Sequence, residues 1–224
     1  MAYLSSVKDL FKFGLPYQLN TFLATVKDDG IIIFLGGVLG AGQIGILSFA
    51  QKIARYPLTF FMDSVTKVTF PAFSRLQDDL LEVKKSLEKS IFFICLLVFP
   101  SLAGLVFLMP YIISYIPRYA KWEPALIPLL YISISYGLAA ATTQLTNFLN
   151  ATGRIKITFY LMIMWTVLTW LSVPYLAKQQ GVNGAALGYM LVGMSSLIVF
   201  YIVKKYVDFS IFNSIILNCC QKCV

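Results

Sequence analysis

The 224-residue sequence contains no histidine, and charged residues make up only 12% of it. The first absence removes the Ser-His-Asp triad, the Cys-His dyad and the His-bearing zinc sites. The second is half the roughly 25% of a soluble globular domain. Disorder is excluded as well, because it needs low hydrophobicity and high charge. Cysteines are too few for a disulfide framework: Cys95 sits in an apolar run, and Cys219, Cys220 and Cys223 crowd the end of the chain. A terminal C-C-x-x-C can bind metal or carry an acyl chain. No partner ligands stand elsewhere in the sequence, so neither metal nor cofactor is expected. Lys8, Asp9 and Lys12 interrupt the first 14 residues, so no cleavable signal peptide is expected either.

What is abundant is apolar. Hydrophobic residues reach 58%, aromatics 15%, and mean hydropathy is +0.77. Each spanning helix takes about 20 mostly apolar residues, and this composition predicts an all-α integral membrane protein with no covalent chemistry. The net charge of +8 comes from 18 Lys and Arg against 10 Asp and Glu. Cytoplasmic loops of membrane proteins collect Lys and Arg, so the excess calls for no nucleic acid.

Gly, Pro and charge clusters divide the chain into six apolar stretches, at about 15–38, 44–70, 90–115, 125–150, 157–177 and 182–203. They follow a lead over 1–14, make one lobe over 15–205, and leave a tail over 206–224. Lys8, Lys12, Arg75, Lys84, Lys85, Lys89, Arg154, Lys156, Lys204 and Lys205 fall on one side of such a bundle. Only Arg118, Lys121 and Lys178 fall on the other. Both termini are therefore predicted to be cytoplasmic, with Tyr115, Tyr119, Trp122 and Tyr175 at the opposite boundary. Leu76, Leu80, Val83, Leu87 and Ile91 recur at helical spacing, which predicts an amphipathic helix leading into the third span.

The first two stretches carry charge, which is costly near a bilayer centre and usually faces a bundle interior or wet cavity. Lys27, Asp28 and Asp29 stand midway along the first. Successive α-helical residues are rotated by about 100°, so at least one of the three is expected to face elsewhere. On the second, Lys52, Arg55, Thr59, Asp63 and Lys67 draw a polar stripe at steps of 3, 4, 4 and 4. Asp63 and Lys67 have the acid-first spacing of an ion pair. Lys52 and Arg55 have no acid one turn away, so Asp28, Asp29 or an anionic ligand is expected to answer them. Arg offers a fork matching phosphate, and Lys a movable point charge. On the fourth stretch Thr143, Gln144, Asn147 and Asn150 form a neutral polar edge, suited either to sugar hydroxyls or to joining helices.

Several short motifs carry a resemblance. Phe13-Gly-Leu-Pro-Tyr-Gln18 opens the first span, Phe49-Ala-Gln-Lys-Ile53 lies in the striped one, and Phe70-Pro-Ala-Phe-Ser-Arg-Leu-Gln77 closes it. Leu149-Asn-Ala-Thr-Gly-Arg154 ends the fourth, and Gly181-Val-Asn-Gly-Ala-Ala186 opens the sixth. In this order they resemble the polysaccharide biosynthesis (O-antigen flippase) family of the multidrug/oligosaccharidyl-lipid/polysaccharide exporter superfamily. The resemblance implies a two-lobe transporter of which this chain is the second six-helix lobe, its partner being a first lobe or a second copy. It implies a substrate, an undecaprenyl-pyrophosphate-linked oligosaccharide, moved between leaflets of the bacterial inner membrane by alternating access, its lipid tail remaining in membrane lipid. Lys52 and Arg55, and less directly Lys67, would then meet the pyrophosphate head. Lys27, Asp28, Asp29, Asp63, Gln144 and Asn147 would line the cavity. The competing readings are a drug or small-metabolite exporter of the same superfamily, a membrane-embedded transferase, and an inactive fragment lacking its first lobe.

Overall fold

The computed structural model describes residues 18–75 and 80–206, and nearly all of them are helical. The N-terminal lead, Leu76 of the amphipathic repeat and the cysteine-bearing tail lie outside the described residues. α1 covers residues 18–39, α2 Ala41–Arg75 and α3 Leu80–Tyr115. A 3-10 stretch, Pro117–Ala125, leads into α4, Leu126–Ala151. The run Ile155–Ser195 is two helices meeting at Gly181, whose φ of 62 and ψ of −137 are not helical. They are α5 (155–180) and α6 (182–195), and α7, Leu197–Tyr206, comes last.

Three stretches are long and apolar enough to cross a membrane: Lys85–Tyr115, Pro117–Ala151 and Ile155–Ile202, the last containing the Gly181 break. The chain is thus an all-α membrane protein. Its outward surface agrees, since Phe60, Val68, Phe107 and Leu171 are 67–72% exposed. Large apolar side chains in that number need a lipid rather than a water environment.

Turns sit where glycine permits them. Among the described residues, the positive-φ positions are Gly40, Gly153 and Gly181, each between two helices. At Gly40 (φ 79) the amide bonds back to the Gly36 carbonyl at 3.1 Å and ends α1. Only a residue without Cβ takes that backbone cheaply.

α4 occupies the centre, packing on α2, α3, the 3-10 stretch and the later helices of the chain. Apolar side chains bury in two clusters. The larger joins Ile31 and Leu35 of α1 to Leu47, Ala50 and Ala54 of α2, Ile94 and Val98 of α3, Leu129 and Ile132 of α4, and Val173 and Ala185 beyond. The smaller gathers Phe73, Leu87, Ile91, Leu145, Phe148, Leu161 and Val199. Leu87 and Ile91 of the amphipathic repeat are buried there, while Glu82 and Lys85 pair on the outside at 3.3 Å. Trp122 is half-buried. It stacks on Phe49 with ring centroids 4.1 Å apart and planes 10° from parallel, and Lys121 Nζ sits 5.2 Å from its centroid.

Candidate functional site

A cavity of about 590 Å³ opens between α1, α2, α4, α5 and α6. Its charged wall begins in α1, where Val26–Gly30 forms a single π turn. Lys27, Asp28 and Asp29, of which at least one is expected to face elsewhere, all border the cavity from this turn. Bonding from i to i+5 widens the turn, so successive residues rotate by less than in an α-helix. Lys27 Nζ donates to Asp28 Oδ1 at 2.7 Å. Behind the turn stands α5: a Cβ on Gly30 would lie 3.4 Å from Trp170 Cζ2, and the Phe34 ring packs on Trp170 at 5.8 Å.

α2 completes this wall with Ser48, Gln51, Lys52, Arg55 and Leu58. Steps of three or four join Ser48, Lys52 and Arg55 and, beside them, Gln51, Arg55 and Leu58 along one side of the helix. Asp28 is engaged by Lys27. Among the described residues, Lys52, Arg55 and Asp29 form no ion pair, so of the two expected answers to the cations of α2, the acids of α1 make no direct contact with them. Three cations and two carboxylates border the cavity, every one on α1 or α2.

The opposite wall carries no charge. From α4 come Ser135, Tyr136, Thr142, Thr143 and Thr146, from α5 Trp165 and Thr169, and from α6 Tyr189, with Ser196 just past its end. Close helix approach sets this wall. A Cβ on Gly193 would lie 2.7 Å from Ser135 Oγ, and that hydroxyl donates to the Tyr189 carbonyl at 3.0 Å, tying α4 to α6. Gly188 meets Val173 in the same way, with its would-be Cβ 2.9 Å from the Val173 Cα.

Four of the expected site residues do not border the cavity. On α2 it ends at Leu58. Asp63 is five residues further, about 7.5 Å along the axis at 1.5 Å per residue, and Lys67 is one turn beyond that. Both are exposed, and among the described residues no ion pair joins them. Exposed pairs at this spacing gain little against the entropy of two long side chains. Gln144 and Asn147 serve the seam between α2 and α4. Gln144 is fully buried, accepts from Thr69 Oγ1 at 3.2 Å and donates to Thr66 Oγ1 at 3.4 Å. Asn147 Nδ2 also donates to Thr66 Oγ1, at 3.3 Å. Of that neutral edge only Thr143 reaches the cavity, because one residue's rotation separates it from Gln144.

Sequence reasoning missed most of the neutral wall. A signal did exist: polar side chains at i and i+4 in otherwise apolar runs, as in Thr142 and Thr146 or Trp165 and Thr169. No group of acidic or sulfur side chains able to hold a metal ion occurs among the described residues.

Two of the three relatives that follow are named for polysaccharide or lipopolysaccharide biosynthesis. The chain is 26% identical over 203 residues to the lipopolysaccharide biosynthesis protein WzxC of Escherichia coli (strain K12), covering 89% of this chain and 40% of that protein. It is 22% identical to an uncharacterized membrane protein in the cps region of Klebsiella pneumoniae, covering 90% of this chain and 42% of that protein. It is 23% identical to the amylovoran biosynthesis protein AmsL of Erwinia amylovora, covering 74% and 45%. The chain therefore spans less than half the length of these relatives. No solved structure matches it. Residues 1–127, more than half of the chain, match the family described as polysaccharide biosynthesis protein, and the chain belongs to that family.

Proposed function

We propose that this chain is one six-span lobe of a flippase for a polyprenyl-pyrophosphate-linked oligosaccharide. The observation that carries the reading is the pair of cations, Lys52 and Arg55, which border the cavity and form no ion pair among the described residues. An anionic head group supplies the missing counter-charge. Fixed cations that replace its hydration lower the barrier to carrying it across hydrocarbon, and an Arg fork meets phosphate oxygens two at a time. Lys27, Asp28 and Asp29 complete the charged lining. A partner lobe, either a first lobe or a second copy, closes the other side, and rocking of the two exposes the cavity to each leaflet in turn. The six spans are α1 to α6 with α7 extending the last. The Lys and Arg distribution supports cytoplasmic termini, and a role in polysaccharide biosynthesis supports a bacterial inner membrane. No bond is made or broken.

Asp29 and the aromatic rings of Tyr136, Trp165 and Tyr189 favour a second reading, export of an organic cation. One experiment separates the two. The chain is reconstituted in liposomes, alone and with a partner lobe, and a membrane-impermeant quencher reports transfer of a fluorescent polyprenyl-pyrophosphate oligosaccharide. Loss of one charge-assisted contact in Arg55→Ala is expected to lower head-group affinity roughly ten- to hundredfold. Leu171→Ala, on the lipid face, is expected to leave it unchanged. Equal transfer by the two variants, or transport of an organic cation that ignores Arg55, overturns the flippase reading.

A further inference from the structure

The serine and threonine hydroxyls of the neutral wall are already committed as donors, whereas the Trp165 indole N–H beside them has no acceptor among the described residues. Thr143 Oγ1 donates to the Ala139 carbonyl at 2.7 Å, and Thr146 Oγ1 to the Thr143 carbonyl at 2.9 Å. Thr142 does the same towards Leu138 and Ala139, Thr169 towards Trp165 at 2.7 Å, Ser135 towards Tyr189 at 3.0 Å, and Ser196 towards Gly193. A hydroxyl has one hydrogen and two lone pairs. With the hydrogen spent on a backbone carbonyl, what each of these side chains can still offer is acceptance. On α2 the reverse holds, since Lys52 and Arg55 only donate, while the carboxylates of the charged wall, Asp28 and Asp29, stand on α1.

We infer that the cavity orients its ligand by hydrogen-bond polarity: phosphate, which only accepts, on α2, and a saccharide ring, which donates, against Thr143 and Thr146 of α4. This rests on the flippase reading and adds a specificity site to it. Thr143 and Thr146 are chosen because they are the half-buried threonines of this wall on α4, with surface left to meet a ligand. A ring whose hydroxyls are capped keeps its shape and its acceptors but loses its donors, and it has nothing to give Thr143 and Thr146.

The test measures binding to the full chain in lipid nanodiscs with three probes: polyprenyl pyrophosphate, the same lipid bearing N-acetylglucosamine, and its O-methylated counterpart. The sugar-bearing lipid is expected to bind about tenfold tighter than the bare one, the effect of one or two neutral hydrogen bonds. O-methylation should abolish that advantage. So should the double variant Thr143→Val/Thr146→Val, with affinity for the bare lipid unchanged as the check on folding. The Thr143→Ser/Thr146→Ser pair should retain the preference. A preference that survives O-methylation or the valine variant overturns this inference alone. Bare-lipid binding that ignores Lys52→Ala/Arg55→Ala overturns the phosphate assignment, and the ligand's orientation falls with it. Failure to bind either lipid overturns both.

Discussion

The two walls of the cavity are built from helices of opposite character. α4, α5 and α6 lie in stretches apolar enough to cross a membrane by composition alone, and they contribute hydroxyls and aromatic rings. α1 and α2 fall outside those stretches, and they contribute every charge the cavity has. The contrast teaches that the hydropathy signal and the functional signal are complementary in this chain. A charged side chain lowers a helix's score for crossing lipid by about 2.5–3.5 kcal/mol at the centre. The helices that carry the cavity's charges are therefore the ones that hydropathy passes over.

Packing glycines offer the sharpest way to break this contrast. On the neutral wall a Cβ at Gly184 would lie 2.0 Å from the Leu176 carbonyl oxygen, whereas one at Gly45 on α2 would have nothing within 4 Å. Gly184→Leu is expected to part α5 from α6 and yield no monodisperse protein in detergent. Gly45→Ala should be tolerated, with a gain of up to about 1 kcal/mol from helix propensity. Equal behaviour of the two on size-exclusion chromatography would show that the neutral wall does not hold the fold.

A smaller effect is expected where the charged wall is anchored. Phe49 precedes Lys52 by one turn, and its stack with Trp122 fixes the start of α2 to the 3-10 stretch. Trp122→Ala should lower stability by about 2 kcal/mol, from lost stacking and lost burial together, seen as a lower thermal midpoint. An unchanged midpoint would mean that α2 is held elsewhere. The smallest effects belong to the seam between α2 and α4. Asn147→Ala should cost about 0.6 kcal/mol, the usual worth of an interhelical hydrogen bond in a membrane. Lys67→Gln should leave head-group affinity as it is, and an affinity loss as large as that of Arg55→Ala would extend the charged wall past Leu58.

The helix breaks were legible because glycine in a positive-φ turn is nearly irreplaceable, as at Gly40 and Gly181. Lys52 and Arg55 were legible because cations three apart in an apolar run share a face and need an answer. The extent of the cavity was not. Steps of four keep Asp63 and Lys67 in angular phase with Lys52, but angular phase carries no information about how far along the axis an opening reaches. Gln144 and Asn147 were ambiguous for a related reason. An amide can bind a sugar or a neighbouring helix, and only the position of Thr66 decides. The hydroxyl wall stayed hidden because a threonine that bonds its own helix costs little among apolar neighbours. The π turn over Val26–Gly30 was not legible, because a periodicity of about 100° per residue presupposes an α-helix.

That π turn has a consequence for the mechanics of α1. A helix containing one holds a residue more than the straight helix it interrupts, a phase slip of about 100° between the segments on its two sides. Ile31 and Leu35, beyond the slip, keep the core registration that their burial requires. Lys27, Asp28 and Asp29, within it, are released from that registration and take their angle from the cavity. In α1, anchorage and aim are set independently, and one extra residue is the clutch between them.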